Sequence, residues 1–310
     1  MLRSLPLLLA LVGLLTACNG PGPGAGEPSA DDGPLKVVTS TGMIGDIAAR
    51  IAGPRADVVS LMGAGVDPHL YKASEGDVRK LSDADLVLYN GLHLEGKMGD
   101  VLVKLARTRP VVAVSAAIPH DQLREPPELL GQYDPHIWFD VRLWAETIGP
   151  IADALAELDP AHAEELAANG EALREELLEL DAWVLERIAE VPEERRLLVT
   201  AHDAFGYFGR RYGIEVVGIQ GISTLAEAGL RDVDRVVDLI VDRKVKALFV
   251  ESSVSPRAVE SVQRAARERG HEVVVGGQLF SDAMGAAGTP EGTYAGMVRH
   301  NVETIVEALQ

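Results

Sequence analysis

Residues 159–192 read DPAHAEELAANGEALREELLELDAWVLERIAEVP, and the architecture follows from how this stretch is read. Ala163, Leu166, Ala167, Leu173, Leu177, Leu180, Val184 and Ile188 recur at three- and four-residue steps, the spacing that stacks side chains on one face of an α-helix. Asp159 supplies an N-cap, Pro160 takes the first helical position, and Pro192 ends the pattern. About 30 residues at 1.5 Å rise make a rod of roughly 45 Å, enough to run the length of the molecule. A coiled-coil dimerisation helix is the alternative; Asn169, Gly170 and the imperfect heptads argue against it.

On either side of this rod the chain alternates between two periods. Apolar, β-branched runs occupy residues 36–40, 56–61, 85–89 and 110–115, and again 197–201, 214–219, 247–251 and 271–276. Segments with helical spacing lie between most of them, at 42–52, 75–81, 225–241 and 257–269. Continuous apolar strands alternating with helices imply parallel sheets covered on both faces. The expected fold is therefore α/β, with two (β/α)4 lobes, residues 35–158 and 193–310, joined by one long rigid helix at 159–192.

The start of the chain points outside the cytoplasm. Met1 and Arg3 make a short basic beginning, residues 5–15 are apolar, and Leu15-Thr16-Ala17-Cys18 closes the run. The run is too short to span a bilayer and fits a secretory signal over residues 1–18. Small residues before the sole cysteine match a lipobox, in which Cys18 receives a thioether-linked lipid and becomes N-terminal after cleavage; an ordinary signal peptide is the alternative. With one cysteine no intrachain disulfide forms, and a lipidated Cys18 is lost as a ligand. Residues 19–34 are rich in Gly, Pro, Ala, Asp and Glu, and read as a flexible tether. The expectation is an exported, otherwise soluble protein anchored through lipid to the outer face of the cell membrane.

Charge narrows the partners. The chain carries 47 acidic against 29 basic side chains, a net −18, which argues against nucleic acid and anionic lipid as partners and mildly favours cations, although an acidic surface is also common in merely soluble proteins. Aromatic content is low at 5%, so sugar stacking is disfavoured.

Cation chemistry is written into a repeated tripeptide. Asp-Pro-His occurs as Asp67-Pro68-His69 and as Asp134-Pro135-His136, and the second half adds His202-Asp203 and Ser281-Asp282. Each candidate follows an expected strand or sits in a loop, where open α/β sheets place ligands. Each also has a plainer role open to it. His69 and His136 fit as passengers of capped turns, His202 as a satisfied histidine at a strand end, and Asp282 as a helix N-cap. Taken together, His69, His136, His202 and Asp282 are enough to close a cage around Zn²⁺, Mn²⁺ or Fe²⁺, whereas Ca²⁺ and Mg²⁺ prefer all-oxygen sites. Glu251, at the end of an apolar strand, is a candidate acceptor for a ligand imidazole, or else a cap of the next helix. Asp67, Asp134 and Asp203 fit either as orienting groups or as backbone partners. His93, His120, His162, His271 and His300 are not read as ligands. A metallohydrolase needs an open coordination position and a general base, and no His-Glu-x-x-His helix is present.

The ordered motifs carry a resemblance. Asp67-Pro68-His69-Leu70-Tyr71-Lys72-Ala73, Asn90-Gly91-Leu92-His93-Leu94-Glu95 and Asp134-Pro135-His136-Ile137-Trp138-Phe139-Asp140 lie in the first half. His202-Asp203-Ala204-Phe205-Gly206-Tyr207-Phe208, Phe249-Val250-Glu251-Ser252-Ser253-Val254-Ser255-Pro256 and Phe280-Ser281-Asp282-Ala283-Met284-Gly285 lie in the second. Over residues 35–310 the chain resembles the metal-binding solute-binding lipoproteins of manganese/zinc ABC transporters (the cluster A-I, or cluster 9, family). The resemblance implies two α/β lobes, one spanning helix, and one Mn²⁺ or Zn²⁺ per chain held by His69, His136, His202 and Asp282. It also implies a monomer that passes its ion to a membrane permease paired with an ATPase, with no catalysis. A surface adhesin role coexisting with metal binding is the alternative. Zinc-dedicated members often carry a His-rich loop before the second ligand; residues 118–133 hold only His120, which leans toward the manganese/zinc subgroup.

Overall fold

The computed structural model describes residues 33–310; the signal and lipobox around Cys18, and the tether up to residue 32, lie outside them. In chain order the strands are β1 (Leu35–Thr41), β2 (Ala56–Met62), β3 (Leu86–Tyr89), β4 (Val111–Ala113), β5 (Leu197–His202), β6 (Glu215–Gln220), β7 (Ala247–Glu251) and β8 (Val274–Leu279). The helices are α1 (Gly42–Ala52), α2 (Glu75–Asp83), α3 (Gly99–Leu105), α4 (Val141–Trp144), α5 (Ile148–Leu158), α6 (Ala163–Ala189), α7 (Gly206–Tyr212), α8 (Leu230–Arg243), α9 (Arg257–Glu268) and α10 (Tyr294–Leu309). Among the described residues no helix is long and apolar enough to cross a membrane.

The first four strands form one parallel sheet in the order β2-β1-β3-β4. Central β1 is buried from Val37 to Thr41, as a strand flanked on both edges and covered on both faces must be. The second half differs in detail. Its strands hydrogen-bond as two parallel pairs, β5–β6 and β7–β8, with β5 packed beside β7 but not laddered to it. At the end of that seam the Glu251 carboxylate, rather than a strand carbonyl, accepts the His202 backbone N–H at 2.8 Å.

The long helix is embedded, not free. Leu166, Leu173, Leu177, Leu180, Val184 and Ile188 are all buried, packed on α1 and α5 toward its start and on α10 toward its end. They belong to the largest core cluster, which runs from Val37 in β1 through α6 to Ile305 in α10, and residues Pro34–Gln310 form one compact unit. Each of these large side chains contributes about 1.5–3 kcal/mol on burial. Asp159 and Pro160 hold the N-cap and first positions expected of them, but of a short 3₁₀ turn that leads into α6. Pro160–His162 make a 3₁₀ turn, and the Asp159 carboxylate accepts from His162 Nδ1 at 2.8 Å instead of from the backbone.

Candidate metal centre

Both Asp-Pro-His tripeptides fold as the same local device. In each, the aspartate carboxylate reaches forward to accept the backbone N–H of the histidine, Asp67 Oδ1 from His69 at 2.8 Å and Asp134 Oδ1 from His136 at 3.0 Å. The intervening proline removes a competing donor and fixes its own φ. The result is a tight turn that presents one imidazole. His202 arrives differently, as the last residue of the fully buried β5. Asp282 follows β8 in an irregular loop and caps no helix, since α10 begins only at Tyr294.

These four side chains converge. One nitrogen or oxygen from each of His69, His136, His202 and Asp282 lies within 4.8 Å of all the others, and all four residues are buried. His136 Nε2 is 3.3 Å from Asp282 Oδ1, His202 Nε2 is 3.3 Å from Asp282 Oδ2, and His69 Nε2 is 3.8 Å from Asp282 Oδ2. His69 Nε2 and His136 Nε2 face one another at 3.3 Å. His202 Nε2 and both Asp282 oxygens have no aligned hydrogen-bond partner, and each such buried polar atom costs about 1–3 kcal/mol. Donors and lone pairs aimed at one point, unsatisfied by one another, fit a shared cation.

The imidazoles are oriented from behind. His202 Nδ1 donates to Glu251 Oε2 while the other oxygen of Glu251 holds the His202 backbone. His136 Nδ1 donates to Asp134 Oδ1 at 2.8 Å. Both contacts leave Nε2 as the atom presented to the centre, the arrangement by which outer carboxylates fix the ring and raise its basicity. Asp134 is the residue whose double role the sequence left open: it makes the backbone turn and also holds the ring. It is itself neutralised by Arg124, whose backbone N–H donates to Tyr207 Oη at 3.0 Å, and Tyr207 Oη in turn donates to the Asp134 carbonyl at 2.9 Å. Trp138 Nε1 donates to the Ser281 carbonyl at 3.0 Å, tying the His136 segment to the Asp282 loop. The other histidines are elsewhere: His271 Nε2 meets the Val245 carbonyl, His300 Nε2 the Gln278 carbonyl, His120 meets the Tyr133 ring edge-on, and His93 is exposed.

Burial and charge pull the three imidazoles apart. Burial pushes His69 down to about 4, against the attraction of Asp282. For His136 burial acts in the same sense, but the Asp134 and Asp282 carboxylates outweigh it and push the ring up to about 9. His202 is likewise raised well above the usual imidazole value, with Glu251 and Asp282 overcoming burial. Burial alone would raise Asp282, yet His202 and His136 hold it well below the usual carboxylate range. The carboxylates thus favour the protonated forms of His136 and His202, while burial favours the neutral form of His69.

Known proteins share this fold. Residues 37–308 match the family described as zinc-uptake complex component A, periplasmic (ZnuA). The manganese-binding lipoprotein MntA of Bacillus subtilis (strain 168) is 48% identical over 305 residues, which cover 98% of this chain and 99% of MntA. The zinc-binding protein TroA of Treponema pallidum (strain Nichols) is 50% identical over 286 residues, 92% of each chain. The solved structure of the periplasmic zinc-binding protein TroA from Treponema pallidum superposes with a TM-score of 0.87, covering 89% of this chain and 99% of that one. With its parallel α/β halves, its spanning helix and its buried cluster of three histidines and one aspartate, the chain belongs to the family of periplasmic component A of zinc-uptake complexes.

Proposed function

We propose that this chain is an extracytoplasmic substrate-binding protein that captures one divalent transition-metal ion with His69, His136, His202 and Asp282 and delivers it to an ABC permease driven by an ATPase. The convergence of these four ligand atoms, two from each half, supports it. Four protein ligands closing round the ion suit capture rather than turnover, because a catalytic metal keeps a position open for substrate or water. On ligand preference alone the site binds Zn²⁺ more tightly than Mn²⁺. Both Asp282 oxygens are unpartnered and face the imidazoles, so Asp282 can bind through both, which raises the coordination above four and suits Mn²⁺. The physiological cargo proposed is Mn²⁺, with Zn²⁺ as a competent ligand; the manganese and zinc names of the relatives bracket that choice. The protein works as a monomer, exported and tethered outside the cytoplasm through lipid on Cys18.

Because α6 is packed along its length into both halves, closure on the ion takes the form of a small tilt and local loop movement rather than a wide hinge swing. Metal analysis with competitive titration by Mn²⁺, Zn²⁺ and Fe²⁺ tests the proposal. One equivalent per chain is expected, and the order of affinity selects the cargo. If neither Mn²⁺ nor Zn²⁺ shifts the melting temperature, the site assignment fails.

A second outcome concerns the support of His136. A Cβ placed on Gly206 would overlap the Arg124 guanidinium, so the guanidinium keeps its present place only while this position is glycine. Gly206→Ala is expected to displace Arg124, leave Asp134 without its counter-charge, and weaken metal binding by about 10–100-fold, the usual cost of losing an outer partner. Competition titration against a metallochromic chelator reads the effect; wild-type affinity in the variant would show that Arg124 contributes nothing.

A further inference from the structure

Three of the four ligands stand on a frame braced between the halves. Trp138 bonds the Ser281 carbonyl, Tyr294 Oη donates to the Trp138 carbonyl at 2.7 Å, and Tyr207 holds the Asp134 carbonyl. His69 is different. Apart from the ligand side chains themselves, residues 63–73 make one hydrogen bond to the second half among the described residues: Thr224 Oγ1 donates to Asp67 Oδ2 at 2.6 Å. His69 is also the most exposed of the four, 4% against 2% for Asp282 and 0% for His136 and His202.

The contact is built from both sides. Asp67 spends its other oxygen on the His69 backbone N–H, so the carboxylate that positions the ligand also spans the cleft. Thr224 is buried, 7% exposed, and its loop is held from beneath by Gln220 Nε2, which donates to the carbonyls of Thr224 at 3.3 Å and Ala226 at 2.6 Å. Gly65, at φ +71°, brings the same first-half loop into van der Waals range of the second half, a Cβ there falling 3.4 Å from the Ser252 carbonyl oxygen. One loop carrying one ligand is therefore apposed to the second half and pinned by a single charge-assisted hydrogen bond.

We infer that residues 63–73 are the gate of the metal centre and that the Thr224–Asp67 hydrogen bond is its latch, holding His69 on the ion and setting the rate of release. The inference rests on the ligand assignment proposed above. Asp67 and Thr224 act as positioning residues: neither touches the ion, and breaking their bond frees His69 to swing outward while the braced ligands stay in place. A hydrogen bond to a charged group is among the stronger ones, and its loss falls mainly on dissociation.

The test is release of Zn²⁺ from the loaded full chain into excess chelator, followed by stopped flow, for wild type, Thr224→Val and Thr224→Ser. Thr224→Val, which keeps the shape and removes the hydroxyl, is expected to speed release about tenfold or more at one equivalent bound. Thr224→Ser is expected to restore the slow rate, and neither substitution to move the melting temperature of the metal-free chain. Wild-type release from Thr224→Val overturns the latch alone. A faster release accompanied by an equal loss of metal-free stability also overturns it, assigning Thr224 to the fold. Failure of the wild-type chain to bind Zn²⁺ at all overturns the ligand assignment and the latch together.

Discussion

Asp282→Ala is expected to abolish stoichiometric metal binding. Asp282 is the one anionic group among the four converging side chains, and both of its oxygens lie against imidazole nitrogens at 3.3–3.8 Å. Removing it leaves three buried imidazoles facing each other with no charge to offset a divalent cation. Breaking a buried charge pair costs about 3–5 kcal/mol, which at ~1.4 kcal/mol per decade is about two to four decades in affinity. Loss of a direct ligand should therefore exceed the roughly 10–100-fold cost of an outer partner and reach about a thousandfold. Asp282→Asn, which keeps the shape and discards the charge, is expected to fall almost as far. Metal content after gel filtration and competition titration read both variants. Wild-type affinity in either would remove Asp282 from the ligand set.

Affinity is also expected to climb steeply with pH. In the metal-free centre His136, raised to about 9, and His202, raised well above the usual imidazole value, both carry protons at neutral pH. His69, lowered to about 4, does not. A metal needs all three rings neutral, so binding near pH 7 expels about two protons and changes affinity by about two decades per pH unit. Going from pH 7 to pH 6 should weaken binding about a hundredfold.

The stability of the metal-free chain runs the opposite way. A ring whose folded value is raised contributes stability that is fully present below the unfolded value of about 6.5 and is lost as pH rises through the folded value, here about 9 for His136. Between pH 6 and 9 the metal-free chain should lose this contribution while the loaded chain gains affinity, so the melting shift on adding metal widens. Titration calorimetry in buffers of different ionisation enthalpy counts the protons directly. A melting shift that stays flat over that range would show that the imidazoles are already neutral before the ion arrives.

Much of this centre was legible residue by residue. The doubled Asp-Pro-His exposed two candidate ligands because an Asx turn closed by proline is a local device, complete within three residues. His202 was legible because it ends an uninterrupted apolar strand, and Glu251 because it ends another; their pairing at the β5–β7 seam follows from the two strand ends lying side by side. Asp282 was less secure, since an acid in a glycine-rich loop also reads as a helix cap, and only the absence of a helix there removes that role. Asp134 was left open between orienting group and backbone partner, and it serves both, accepting from the His136 backbone and from its ring.

The alternating α/β pattern and the spanning helix came from the chain's own periodicities and the candidate ligands from its short motifs, because hydrophobic spacing and turn chemistry act over a few residues and need no knowledge of distant partners. Fine boundaries did not: Asp159 caps a 3₁₀ turn ahead of α6 rather than α6 itself, and its carboxylate meets His162 instead of the backbone. The brace of Arg124 over Gly206 and the latch between Asp67 and Thr224, residues 157 apart in the chain, emerged only on packing. Each needs two halves brought to within hydrogen-bond reach around one core, and the meeting of side chains so far separated is written in no local pattern.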